Sequence, residues 1–412
     1  MDDCDQPRCA LRQLATTDES VHFVFKEPPS RWLRKFCFEA RRDTNVTPEQ
    51  VLQAALDTTG VNSDGGVAWP GLVRLIDAFG QERELTDIAP LAFYGNCGRK
   101  LQNFLALDEL ARQRSPSPLP DTVVILGLPR SGSTLLHNLL ALESGTGYGR
   151  HFEMTNSWWM LGNTSREDAW ADVQNRLDLL DALNPNIRDL HPSAAEWPDE
   201  CTLIFEAAFA SHQWPVTYGL PAYMDWLSDL DWEPYYQYYR KVLPAVIVGG
   251  TERIVLKSPA HTLHHVLLRQ ALPQAKWVQT VRSSSDVIPS WLSLVRSLYE
   301  VMHKEDRLPA QLVERWTTYL EAVASASIGL ADAGTPCVQF DDLVGDPIQT
   351  IGVLLRGWGR DLTEDHIKRM RIWLDSTEAK RRGHHYGFED VATQSKRSAA
   401  FGTYDHRFGP VS

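Results

Sequence analysis

Residues 122–142, Thr-Val-Val-Ile-Leu-Gly-Leu-Pro-Arg-Ser-Gly-Ser-Thr-Leu-Leu-His-Asn-Leu-Leu-Ala-Leu, read as a strand, a glycine-containing turn and a helix in immediate succession. Val123 to Leu126 form the short β-branched and apolar run that suits a strand buried on both faces of a parallel sheet. Gly127, Pro129 and Gly132 break it, and Leu135, Leu136, Leu139 and Leu140 then repeat at a helical period. A turn at a helix N-terminus offers an anion unpaired backbone N–H groups and the positive end of the helix dipole. The simpler reading is an ordinary strand-to-helix turn, with Gly and Ser present for geometry alone.

Gly127 and Gly132 nearly complete the nucleotide-triphosphatase pattern of Gly, four residues, Gly-Lys-Ser/Thr, but Ser133 stands where the lysine belongs. The loop's single cation is Arg130, so a kinase built on it would lack the group that reaches the outer phosphates. Pro129-Arg130-Ser131-Gly132-Ser133-Thr134 resembles the 5′-phosphosulfate loop of sulfotransferases that use 3′-phosphoadenosine 5′-phosphosulfate (PAPS), in its Arg form, as in the tyrosylprotein and large bacterial sulfotransferases. A second likeness lies downstream. The apolar run Lys276–Val281 ends in Arg282, and Ser290 follows eight residues later on what reads as a helix, with Asp286 as its expected N-cap. A planar guanidinium and a hydroxyl near a helix start can converge on one phosphate, and this spacing is similar to the 3′-phosphate motif of the same enzymes.

The resemblance implies an α/β fold: a P-loop-like parallel sheet flanked by helices, with a helical N-terminal region and a helical insertion. It also implies PAPS as donor, adenosine 3′,5′-bisphosphate as product and no required metal. Lys257, at the end of the apolar run 252–256, and Arg130 are then the cations that meet the leaving phosphate. Phe340, in Cys337-Val-Gln-Phe-Asp-Asp342, takes the place of an aromatic near the adenine, and Arg381 and Arg382 that of a basic loop over the 3′-phosphate. The general base is Glu153, His191 or His261, with Glu153 first by similarity to the tyrosylprotein enzymes. Each could equally be a structural hydrogen-bonding residue. Two rivals remain: a nucleotide kinase with a degenerate loop, and a nucleotide-binding protein without catalysis.

At 412 residues the chain is long for one core, and the order of its patterns divides it. Residues 1–118 read as a helical N-terminal region, with a helix start at Thr47-Pro48-Glu49-Gln50 and helical periods over 69–79 and 101–110. Residues 119–412 form the α/β domain, interrupted at 150–250 by a helical stretch for the acceptor. Seven of the fourteen Trp residues fall between Trp158 and Trp232, beside Tyr218, Tyr223, Tyr235, Tyr236, Tyr238 and Tyr239. That enrichment suits either an aromatic acceptor pocket or a helical unit packed on its own rings.

A formal net charge of −12 argues against a nucleic-acid partner, which needs a broad basic face. The partner expected is a small or medium organic acceptor with a hydroxyl or amine. Six cysteines without a Cys-x-x-Cys pair offer neither a zinc site nor a disulfide framework. No apolar run approaches the length of a membrane span and the acidic start lacks a secretory pattern, so a cytoplasmic protein is expected.

Overall fold

The computed structural model describes residues 46–114, 118–247, 252–376 and 399–409; the basic run 31–35 and the expected site residues Arg381 and Arg382 lie outside the described residues. Three helices come first: α1 (Pro48–Thr59), α2 (Ala68–Gln81) and α3 (Ala89–Gln113). At the start of α1 the Thr47 hydroxyl accepts from the Gln50 N–H while the Gln50 side chain accepts from the Thr47 N–H, so two orphan donors are satisfied at once. α3 runs well beyond the apolar stretch that announces it. There follow β1 (Asp121–Gly127), α4 (Ser133–Ala141), β2 (Thr146–Gly147) and α5 (His151–Thr155), then short helices that include α6 (Thr202–Ala207) and α7 (Glu233–Val246). β3 (Arg253–Lys257), β4 (Lys276–Val281), α8 (Ser284–Met302), α9 (Ala310–Asp332), β5 (Cys337–Gln339) and α10 (Phe340–Gly345) complete the part that carries the site.

The five strands form one parallel sheet in the order β2-β3-β1-β4-β5. Val123, Val124, Ile125 and Leu126 are buried, as a central strand covered on both faces requires. From β1 the chain goes out to the edge strand β2, returns through β3 beside β1, then crosses to β4 and β5 on the other side. The crevice beyond the carboxyl ends therefore opens where the strand order reverses, the place where such sheets take their ligands. Register sets the neighbours there: Ile125 pairs with Lys257 and Gly127 with Thr280.

One sequence expectation changes, and two points the sequence left open are settled. Ser283, not Asp286, caps α8: its hydroxyl accepts from the Ser285 N–H, and Asp286 sits in the first turn. The two-residue β2 carries no pattern a sequence could reveal. Tyr218, Tyr223, Tyr235, Tyr236, Tyr238 and Tyr239 are all buried in one core with residues of α3, α6 and α7, so the aromatic enrichment of 150–250 is mainly packing.

α3 and α6 are joined by a buried ion pair, with Lys100 Nζ donating to Glu206 Oε2 at 2.5 Å. Removing one partner strands the other charge in a low dielectric. Glu206→Ala is expected to cost about 3–5 kcal/mol, whereas Asp121→Ala, which breaks the half-exposed pair with Lys276, costs no more than about 1 kcal/mol. Denaturant midpoints at constant slope check this. Equal losses for the two variants would contradict it.

Candidate active site

The turn after β1 is fixed by contacts only its own residues allow. Gly127 has φ 114° and packs so closely on β4 that an added Cβ would lie 2.2 Å from the Thr280 carbonyl oxygen. Thr262 Oγ1 accepts from the Gly127 N–H at 2.8 Å and donates to the Gly127 carbonyl at 3.2 Å, which holds both sides of that residue. Ser131 is buried, its hydroxyl donating to Leu128 O at 2.5 Å and lying 2.6 Å from Thr280 Oγ1. Its side chain therefore braces the turn and leaves its backbone for a ligand. Gly132 (φ 93°) is the N-cap of α4, with no side chain bonding the first N–H groups, and a Cβ there would meet the Phe340 ring at 3.0 Å. Ser133 and Thr134 begin the helix.

Arg130 has φ 64°, a left-handed conformation that costs a non-glycine residue of order 1 kcal/mol and that clusters at functional sites. Its Nε donates to Ser290 Oγ at 2.9 Å, across from the glycine turn to α8. Arg282, one residue past β4, donates from Nη1 to the Arg130 carbonyl at 3.4 Å and lies with its guanidinium carbon 4.1 Å from the Phe340 ring centroid. Arg130, Arg282, Ser290 and Phe340, picked from separate stretches of sequence, thus form one contiguous group at the ends of β1, β4 and β5.

On the other side of β1 the end of β3 presents Lys257, whose side chain is 1% exposed and donates to Glu200 Oε1 at 2.7 Å. The Glu200 N–H donates to Asp199 Oδ1 at 2.6 Å, and Asp199 Oδ2 takes the His151 ring at 2.6 Å. Burial alone would raise the Asp199 carboxyl; the His151 hydrogen bond, with His151, Lys257 and His191 nearby, holds it well below the usual carboxylate range instead. An ionised Asp199 can only accept, so His151 carries its proton on Nδ1.

Of the three base candidates, His191 lies within the electrostatic reach of Arg130, Lys257, Asp199 and Glu200. Its Nδ1 is 3.1 Å from Ser193 Oγ, and burial lowers its pKa. Glu153 is buried against Arg150, which reaches both carboxylate oxygens at 3.3 Å and also bonds Glu196 at 2.8 Å; burial raises its pKa. His261 shares a 2.8 Å hydrogen bond with Tyr236 through Nδ1 and is driven by burial to a pKa of about 3. Two features escaped the sequence. Glu200 meets Lys257 only because a segment 57 residues away in the chain folds against β3. The His151–Asp199 pair joins residues whose only signal was their type. Among the described residues no cluster of three or more His, Cys, Asp or Glu side chains could hold a metal ion, and no helix is long and apolar enough to cross a membrane.

A family model described as "Sulfotransferase family" matches residues 120–364 of the chain. The curated proteins named omega-hydroxy-beta-dihydromenaquinone-9 sulfotransferase Stf3, from Mycobacterium bovis and Mycobacterium tuberculosis, are 24% identical over 269 residues, which is 61% of this chain and 66% of theirs. Among solved structures, sulfotransferase STF9 from Mycobacterium avium superposes with a TM-score of 0.73 at 18% identity, over 89% of this chain and 96% of that one. STF1 from Mycobacterium tuberculosis H37Rv gives 0.66 at 22% identity, over 89% and 99%. These two likenesses bear on the fold.

The histidines behind the crevice make stability sensitive to acid. Burial pushes both His137 and His261 from 6.5 to about 3, so each stays neutral in the folded protein while the unfolded chain protonates below about pH 6.5. The unfolded state then binds more protons, and stability falls as pH drops through that window, by up to about 1.4 kcal/mol per unit for each group. Denaturant midpoints should decline steadily from about pH 7 to about pH 5. A flat profile would contradict the burial of these rings.

Proposed function

The chain belongs to the sulfotransferase family, and from that premise we propose that it transfers a sulfuryl group from PAPS to a hydroxyl or amine of a small or medium organic acceptor. The observation that carries this reading is the contact of Arg130 with Ser290 and of Arg282 with the Arg130 carbonyl. Two cationic residues meeting at one point, beside an uncapped helix N-terminus, are suited to a ligand with more than one phosphate.

The residues fit a doubly phosphorylated adenosine. Backbone N–H groups of Ser131, Gly132, Ser133 and Thr134, with Arg130, would hold the phosphosulfate, and Arg282 and Ser290 the 3′-phosphate. The Phe340 ring, already under the Arg282 guanidinium, would lie near the adenine. Arg381 and Arg382 keep their assignment over the 3′-phosphate. When bound, PAPS supplies an activated sulfuryl group.

Lys257 is fixed at the end of β3 and shielded from water, so its charge acts in a low dielectric where it stabilises a developing anion strongly. Together Arg130 and Lys257 supply charge that a kinase takes partly from Mg²⁺, and the reading calls for no metal. A base on the acceptor side must take the acceptor's proton; Glu153, His191 and His261 are the sequence's candidates. The alcohol in the name of the Stf3 relatives supports a hydroxyl acceptor.

Calorimetry with adenosine 3′,5′-bisphosphate and with ADP tests the donor site. The bisphosphate should bind more tightly, and Arg282→Ala should weaken it about 10- to 100-fold with little change for adenosine 5′-phosphate. Preference for ADP, or dependence of transfer on ATP and Mg²⁺, would favour the kinase reading instead. Lys257→Met should lower turnover by about a hundredfold or more with bisphosphate affinity nearly intact. An unchanged turnover would remove Lys257 from the chemistry.

A further inference from the structure

The donor groups just described occupy the ends of β1, β4 and β5, which leaves the β3–β2 side of the crevice for the acceptor. His151 stands there, at the start of α5 just past β2, bonded through Nδ1 to Asp199 Oδ2 at 2.6 Å. The next residue, Glu200, gives its backbone N–H to Asp199 Oδ1 at 2.6 Å and takes Lys257 Nζ on its carboxylate at 2.7 Å. From this geometry we infer that His151 is the catalytic base of the transfer, with Asp199 as the residue that positions it.

Three observations carry the inference. Asp199 fixes the proton on Nδ1, so Nε2 presents its lone pair, and no described group takes that atom while the side chain stays 17% exposed. A structural tether is already in place without the pair. The segments around 150 and 198 are joined by backbone bonds from His151 N to Trp197 O, Phe152 N to Ala195 O and Asp199 N to Gly149 O, each 3.0 Å. Glu200 is held by Lys257, Glu153 by Arg150, His191 by Ser193 through Nδ1 and His261 by Tyr236 through Nδ1, and His261 is only 1% exposed, with its Nε2 sealed from any acceptor.

The assignment rests on the sulfuryl-transfer reading. In the step, the acceptor O–H proton passes to Nε2 as the oxygen's electron pair forms the bond to sulfur. The sulfur–oxygen bond to the 5′-phosphate breaks, and its electron pair leaves on the phosphate. The resulting imidazolium is stabilised by the Asp199 carboxylate, as in other imidazole–carboxylate pairs.

Transfer from PAPS to two probes separates chemistry from structure: 1-octanol, whose hydroxyl needs a base, and p-nitrophenol, which ionises unaided. His151→Ala should lose about a hundredfold or more in kcat with octanol but less than about tenfold with p-nitrophenol, with bisphosphate affinity nearly unchanged. Added imidazole should restore part of the octanol rate. Asp199→Asn should show the same selective loss, because the wrong ring nitrogen then carries the proton. Equal losses on both probes without imidazole rescue would overturn the assignment while leaving the transfer reading intact. A wild-type protein that sulfates neither probe would overturn both.

Discussion

Arg282 and Arg130 share one corner of the molecule, and that arrangement sets what the crevice can hold. The Arg282 guanidinium donates to the Arg130 backbone, stacks on Phe340 and lies 3.5 Å from Asp286, while the Arg130 side chain turns to Ser290. Both arginines lie at the glycine turn, and guanidinium groups placed there favour an anionic ligand. The unprotected N–H groups at the head of α4 add to the same demand. A polyanion is the ligand we propose for it, in a protein whose overall charge is −12.

The rest of the fold serves that corner. Gly127 lets β1 and β4 close to contact at the turn, Thr262 holds the Gly127 backbone, and the reversal of strand order around β1 brings Arg282 to one side and Lys257 to the other. The helical N-terminal region takes part too. α3 grips α6 through the Lys100–Glu206 pair, and α6 follows directly on the Asp199–Glu200 segment that meets Lys257 and His151. A long first region is thus continuous with the core beneath the Lys257 side of the crevice, in keeping with the shared burial of α3, α6 and α7.

The sheet was legible in the sequence because its signals are local. A buried strand is a short apolar run, a turn is marked by Gly and Pro, and a charged residue at a strand end has one direction to point. Lys257 and Arg282 were singled out that way, Arg130 as the cation of the turn and Ser290 by its spacing from Arg282, and β4 has the limits its apolar run announced. The Lys257 side of the crevice was not legible for the opposite reason. Glu200, Asp199 and His151 acquire meaning only when the 191–201 segment folds back along β2 and β3, and β2 itself is two residues long. The aromatic run misled in a third way: rings at helical spacing fill cores as readily as they line pockets, and most of these fill a core.

A crystal structure of the protein with adenosine 3′,5′-bisphosphate tests the account most directly. It should have the 5′-phosphate against the backbone N–H groups of 131–134, the 3′-phosphate between the Arg282 guanidinium and the Ser290 hydroxyl, and the base beside Phe340. A nucleotide bound the other way round, or one that leaves Arg282 and Ser290 untouched, would contradict it.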